Sequence, residues 1–417
     1  FLRKTVAAFE ADKQYVDADA AFFDANGDGH NDLYVASGGY HTFQIDDPLL
    51  QDRLYVNDGK GNFTRQQDAL PAMLVSKGCV AVDDVNKDGH MDVFVGGRVI
   101  PGRYPETPVS YLLINDGHGK FTDQISSIAP SLQKLGMICD AVWVDVNKDQ
   151  NKDLVVAGEW MPVSTFINQG NKLNDETAKY FGKTYTGWWN KISAGDFNND
   201  NNTDIIVGNV GINTQFKASD SEPVEMYYKD FDNNGSVDPI LCFYIQGKSF
   251  PYVTRDEMLE QIVSLRKRFT TFASYADVTL QDIFKPEELS GSGHLKVNHI
   301  ETTLFISDST GKFTPTSLPV QAQYAPVNTI TILDFNSDGN NDLLLCGNSS
   351  NTKIKMGKFD ANYGVLLKGD GHGRFEYVDQ KVSGFKLRGD VRSVLEINNV
   401  LLFGINEQSP KAYRMNR

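Results

Sequence analysis

The chain has 417 residues, with 40 Lys plus Arg against 54 Asp plus Glu and a formal net charge of -14. That acidity, with one dense basic run at Arg266-Lys267-Arg268, excludes a nucleic-acid surface built on a basic stripe. No apolar run reaches the roughly eighteen residues that a transmembrane helix needs, and Cys79, Cys139, Cys242 and Cys346 lie apart, as expected of buried free thiols.

Taken in chain order, six nine-residue loops share one pattern: Asp first, Asp or Asn third and fifth, Asp ninth. DANGDGHND offers Asp24, Asn26, Asp28, His30 and Asp32, and DVNKDGHMD offers Asp84, Asn86, Asp88, His90 and Asp92. DVNKDQNKD offers Asp145, Asn147, Asp149, Asn151 and Asp153, and DFNNDNNTD offers Asp196, Asn198, Asp200, Asn202 and Asp204. DFDNNGSVD offers Asp230, Asp232, Asn234, Ser236 and Asp238, and DFNSDGNND offers Asp334, Asn336, Asp338, Asn340 and Asp342. Side-chain oxygens at alternate positions, a backbone carbonyl at the seventh and a closing carboxylate at the ninth suit a hard cation, so these residues are expected to ligate Ca2+. The sixth residue must bend sharply. Gly29, Gly89, Gly235 and Gly339 do so freely, Asn201 tolerably and Gln150 least readily, which makes the third loop the expected weakest site. The loops hold eighteen Asp, and six divalent ions would bring the net charge to about -2, so the acidity is expected to be paired internally.

Each loop is followed by an apolar β-rich run (LYVASGG, VFVGGR, LVVAGEW, IIVGNVG, PILCFY, LLLCGN), and Gly-rich hairpins such as GKGNFT and GHGKFT recur downstream. The first three loop-to-loop spacings, 60, 61 and 51 residues, each suit one four-stranded antiparallel sheet. The expected fold is all-β: a seven-bladed β-propeller with Ca-binding hairpin loops, spanning residues 1–417 as one domain. LFISD and STGKFT are read as the third and fourth strands of blade five. A spacing of 34 residues between the fourth and fifth loops fits this scheme poorly. Residues 251–298 are expected to form a small helical insertion within blade five, since RDEMLEQIVSLRKRF places Met258, Leu259, Ile262, Val263 and Phe269 at helical spacing, with acids first and bases last. The last blade carries no loop of this kind (VRSVLEI, VLLFGI, KAYRMN). Phe1-Leu2-Arg3 matches the strand start Phe63-Thr64-Arg65, and is expected to close the ring as its fourth strand.

These loops and strings resemble the VCBS/FG-GAP repeat family, whose blades also occur in the integrin α-chain head. Longer stretches (DRLYVNDGKGNF, GGRVIPGRYP, AGEWMP, GWWN, GNVGIN, YYKDFDNNGSVDPIL) are similar to the ASPIC/UnbV-associated branch, which includes cartilage acidic protein and surface proteins of Bacteroidetes. The resemblance implies a calcium-loaded, exported propeller, extracellular or at the cell surface, part of an outer-membrane lipoprotein and neighbour to an outer-membrane transporter for glycans.

Since the calcium loops would all point to one face, a ligand is expected on the other. Arg98, Arg103, Tyr104, Trp160 and Trp188 are the candidate ligand-binding residues there, because aromatic and Arg side chains together suit a glycan or a protein partner. Trp160 and Trp189 could instead pack between blades, and Arg98 and Arg103 could pair with Glu106 or Glu159. The expected function is a calcium-stabilised binding or scaffold module. The alternative is a polysaccharide lyase using Tyr104, His41 and Arg103, although no nucleophile elbow, HExxH or P-loop is present. Arg388-Gly389-Asp390 spells an integrin ligand but begins a strand, and is set aside.

Overall fold

The aspartate loops turn antiparallel hairpins, and the strands that flank them begin and end at the loop itself. In the computed structural model, which describes residues 4–415, β1 (Asp17–Phe23) and β2 (Asp32–Ser37) pair with Phe23 opposite Asp32. The chain divides into two compact units, residues 1–138 with 216–299 and residues 139–215 with 300–417.

In the first unit, β1 and β2 continue into β3 (Arg53–Asn57) and β4 (Phe63–Gln66) as a four-stranded antiparallel sheet. A second sheet repeats the plan with β5 (Ser76–Asp83), β6 (Asp92–Val99), β7 (Tyr111–Asn115) and β8 (Phe121–Asp123). Every residue of β2 is buried, which explains why strands after the loops read as unbroken apolar runs rather than alternating ones. Tyr34, Leu54, Val93, Val95, Leu113 and Phe121 form the shared core of these two sheets. Beside it, the fully buried Lys77 ammonium meets Asp52 Oδ1 at 3.0 Å, and Tyr34 Oη donates to Asp52 Oδ2 at 2.7 Å.

β9 (Met137–Val144), β10 (Asp153–Pro162), β11 (Ser164–Asn168), β12 (Leu173–Asp175) and β13 (Thr186–Trp188) form the next sheet. β14 (Lys191–Gly195) and β15 (Asp204–Gly208) flank the fourth loop. The chain then leaves this sheet to make another: β16 (Val224–Lys229), β17 (Asp238–Ile245), β18 (Lys248–Pro251) and β19 (Gly293–Val297), in spatial order β18-β17-β16-β19. Only afterwards do β20 (Thr303–Ser307) and β21 (Phe313–Ser317) complete the sheet of β14 and β15, with Phe305 opposite Ile205. β22 (Val327–Leu333), β23 (Asp342–Gly347), β24 (Val365–Gly369) and β25 (Phe375–Tyr377) form a four-stranded sheet, and β26 (Val391–Ile397), β27 (Val400–Ile405) and β28 (Lys411–Arg414) a three-stranded one.

The fold is thus all-β, with mostly antiparallel sheets and short helices. The strand assignment for blade five is corrected: LFISD and the strand that begins within STGKFT belong to the sheet of the fourth loop. The fifth loop heads an inserted sheet, which accounts for the short 34-residue spacing. Of the span 251–298 expected to be helical, short helices lie between β18 and β19, the helix of RDEMLEQIVSLRKRF breaks at Ile262, and Gly293–Val297 is strand, paired with β16. Arg255–Gln261 is capped by Thr254 and Glu257 in a reciprocal capping box, and shorter turns follow at Leu280–Ile283 and Pro286–Leu289. Met258, Leu259, Ile262, Leu265, Phe269 and Ile283 bury its apolar face against Ile240 and Cys242; Val263 is 52 % exposed. The expected closing strand at Phe1-Leu2-Arg3 lies outside the described residues.

Candidate functional site: the aspartate loops

Each loop is organised by its own side chains. In the first, Asp24 Oδ1 accepts the Asp28 N–H at 3.2 Å and Asp24 Oδ2 the Gly29 N–H at 2.8 Å, while Asp28 Oδ1 accepts the His30 N–H at 2.9 Å. The same Oδ2 contact to the sixth residue recurs at Gly89, Gln150, Asn201, Gly235 and Gly339. All six sixth-position residues have positive φ, including Gln150 at 69°. The fourth position is left-handed as well, at Gly27, Lys87, Lys148, Asn199, Asn233 and Ser337, a second bend the sequence marks with glycine in the first loop alone.

In five loops the third- and fifth-position side chains converge. Asn26 Nδ2 lies 2.9 Å from Asp28 Oδ2, with equivalent contacts at Asn86, Asn147, Asn198 and Asn336. The fifth loop has Asp232 in place of that Asn. Asp230, Asp232 and Asp238 bring ligand atoms within 4.8 Å of one another, and Asp232 Oδ1 is buried without a hydrogen-bond partner. Carboxylates this close repel unless a cation intervenes, so the donor set fits a hard divalent ion.

The ninth Asp, expected to close the cage, does something further. Its Oδ2 accepts the N–H of the second loop residue: Ala25 at 3.1 Å, Val85 at 3.0 Å, Val146 at 2.9 Å, Phe197 at 3.0 Å, Phe231 at 2.9 Å and Phe335 at 3.1 Å. In five loops Oδ1 accepts an N–H at the end of the third strand: Asn57, Asn115, Asn168, Ser307 and Gly369, at 2.8–2.9 Å. This clamp ties each loop to the sheet, and sequence reasoning missed it; the polar or glycine residue recurring where LYVN, LLIN, FIN, LFIS and LLKG end is the signal. Burial, then the neighbouring loop carboxylates, push the Asp92, Asp153 and Asp204 carboxyls up to about 6. At the seventh position the His30 and His90 rings lie over Gly59 and Gly117, where any side chain would collide with the imidazole.

The candidate ligand residues fall into two groups. In the first unit, Arg98 and Tyr104 are half-buried, and Arg103 is held by Glu106 through its Nε and Nη2, both at 2.5 Å. Those bonds, with the Asp230 charge adding to them, hold the guanidinium pKa above its ordinary value. His41 packs edge-on against Tyr40 at 5.2 Å. In the second unit, Trp160 is 6 % exposed at a left-handed break in β10, and meets Trp188 edge-to-face at 5.2 Å. Trp160 thus offers little surface to a ligand, whereas Trp188 is half-buried. Trp189 is fully buried, with Nε1 donating to Tyr185 O.

Comparison with known proteins follows the same repeat. A family model described as FG-GAP-like repeat matches residues 24–95, 84–156 and 145–207, so the chain carries FG-GAP-like repeats in three overlapping copies. No curated protein sequence matches the chain. Among solved structures it is similar to the Vibrio cholerae biofilm matrix protein Bap1 (10% identity, 99% of this chain and 90% of that one, TM-score 0.33). It is also similar to YCF48 bound to a D1 peptide (9%, 93% and 90%, TM-score 0.31) and to the rhamnogalacturonan lyase YesW (12%, 96% and 72%, TM-score 0.34). Likeness at this level carries no argument about what the chain binds. No described helix is long and apolar enough to cross a membrane.

Proposed function

We propose that the chain is a calcium-stabilised binding or scaffold module of an exported, cell-surface propeller protein of the ASPIC/UnbV-associated kind. The observation that carries this reading is the loop construction: six copies of one oxygen-rich turn, with three carboxylates of the fifth within 4.8 Å of one another. Asp24, Asn26, Asp28, the His30 carbonyl and Asp32, with their counterparts, would hold the ion, and the ion would neutralise the carboxylates that the hairpins gather. Bacteroidetes outer membranes, with a glycan transporter as neighbour, suit such a module, and a ring closed through the N-terminus would leave no open sheet edge.

The ligand is a glycan or a protein. Arg98, Arg103, Tyr104 and Trp188 remain its candidate contacts, with Trp160 positioning Trp188. No observation favours the lyase reading, in which Arg103 would have to leave Glu106.

Metal analysis and thermal melts test the calcium step. Extracellular calcium modules bind at roughly 0.1–1 mM, and a site at a hundred times its Kd adds about 2.7 kcal/mol. The expected result is several bound Ca2+ and a melt that falls by many degrees in excess chelator. Negligible metal content and an unmoved melt would overturn the reading.

A further inference from the structure

Asn115, the last residue of β7, is buried. Its backbone N–H serves the clamp, donating to Asp92 Oδ1 at 2.9 Å. Its carboxamide does something else. Nδ2 donates to Ala25 O at 2.9 Å and to Met91 O at 3.1 Å, while Oδ1 accepts the Gly117 N–H at 3.1 Å. Ala25 is the second residue of the first loop, and Met91 is the eighth of the second. One buried amide group therefore holds two successive loops by their backbones, with both its hydrogens and its oxygen engaged.

The two carbonyls it holds sit beside expected ligands. Ala25 follows Asp24, and Met91 lies between His90, whose carbonyl is the expected seventh-position ligand, and Asp92. Asn57 ends β3 as Asn115 ends β7, and its Nδ2 donates to the eighth residue of its own loop, Asn31 O, at 3.0 Å. The reach to a second loop is what Asn115 adds. The fourth and sixth loops are joined to the same end by different residues. Asn341 Nδ2 donates to Asp196 O at 2.7 Å, and Asn199 Nδ2 to Asn340 Oδ1 at 3.0 Å.

We propose that Asn115 is a positioning residue for two cation sites at once, so that filling the first loop favours filling the second. The inference rests on the calcium reading and adds that the sites are not independent. Carboxylates gathered in an empty loop repel one another, so an empty loop holds its backbone less firmly than a filled one. Ordering either loop fixes one carbonyl. That carbonyl fixes the amide of Asn115, which then presents its other N–H to the second loop. Whatever affinity one loop gains in this way, the other gains in return. Charge acts in the opposite sense. A first loop emptied by Asp28→Ala is more negative than a filled one, since a divalent cation brings two charges and the substitution removes one. Charge alone would therefore draw the second cation more strongly, whereas loss of the bridge weakens it.

The test titrates the full chain, carrying isotope-labelled histidine, with Ca2+ at about 0.15 M salt, and follows the ring signals by NMR. His30 and His90 are the seventh residues of the two loops, so each reports the filling of its own loop. Asp28→Ala disables the first loop and Asp88→Ala the second. The loop that fills later in the parent is the one whose midpoint moves. His90 in Asp28→Ala, or His30 in Asp88→Ala, should need roughly two- to tenfold more Ca2+. Asn115→Ala should abolish that dependence while both loops still fill. Asn115→Leu, closer in size, serves the same purpose if the cavity left by Ala proves too costly. A residue that only held the sheet together would weaken both sites and leave the dependence in place. Midpoints that move in neither disabled loop's partner, or that fall, overturn the proposal without touching the Asn115 position. A dependence of equal size after Asn115 is replaced overturns it too. Histidine signals that Ca2+ never shifts would overturn the calcium reading, and this proposal with it.

Discussion

Asp204 Oδ1 accepts the Ser307 N–H at 2.8 Å, across 103 residues of chain. The same carboxylate takes the Phe197 N–H through Oδ2 at 3.0 Å, so one fully buried side chain fastens the fourth loop to a strand made after the whole inserted sheet. In the four other loops with an equivalent bond it spans far less sequence, as from Asp32 to Asn57, 25 residues apart.

Replacing Asp204 with Ala strands both N–H groups in a buried setting. Each should cost about 1–3 kcal/mol, and urea denaturation should show a loss near the sum. A loss under about 1 kcal/mol would mean that the clamp does not carry the stability assigned to it.

Gln150 sits at φ 69°, where its five counterparts are Gly or Asn. A side chain in that region costs about 1–2 kcal/mol, so Gln150→Gly should raise stability by about 1 kcal/mol and tighten cation binding at the third loop. Isothermal titration against the parent checks the second effect; an unchanged or weaker site would show that this bend is not what limits it.

Lys77 and Asp52 are both fully buried, and Lys77 Nζ also donates to Leu50 O and Met73 O. Removing the cation alone leaves an unpaired carboxylate in the core, so Lys77→Met should cost about 3–5 kcal/mol. A melt within a degree or two of the parent would show that Asp52 is already neutral.

Glu225 is expected to contribute to the acid sensitivity of the inserted sheet. Burial raises its carboxyl, but hydrogen bonds from His294 (3.0 Å) and Ser249 (2.8 Å), with the charges of His294 and Lys296, outweigh that and leave it below its ordinary 4.5. An acid held lower when folded adds stability that is present above about 4.5 and lost as pH falls through the folded value. Proteolysis confined to residues 216–299 should therefore rise as pH drops below 4.5, with Glu225→Gln flattening the profile. An identical profile in that variant would assign the acid limb to other groups.

The six loops and the strands beside them were legible because their ligand positions repeat and the turn chemistry is local. The membership of β20 was not. LFISD fits either neighbouring sheet by hydrophobicity and length, and its choice of β15 depends on register and on Ser307 meeting Asp204, which are tertiary facts. Trp160 reads from sequence either as a ligand contact or as a residue packed between blades, and LVVAGEW alone does not choose between them. Its burial depends on β10 running ten residues, with a left-handed break, to reach β13.

The excursion that carries the inserted sheet leaves and returns at one point: Val207 lies opposite Thr303, and Gly211 N–H donates to Ile300 O at 2.8 Å. During synthesis, at about 5–20 residues per second, β14 and β15 must therefore wait roughly 5–20 s for their partners to emerge. For that interval the nascent chain presents a half-built sheet with an open apolar edge, while the segment that delays its completion can already be folding. A short bridge from Gly208 to Thr303 would remove the wait, and a chain so shortened should reach its native state in a cell-free extract with less help from chaperones than the full-length one.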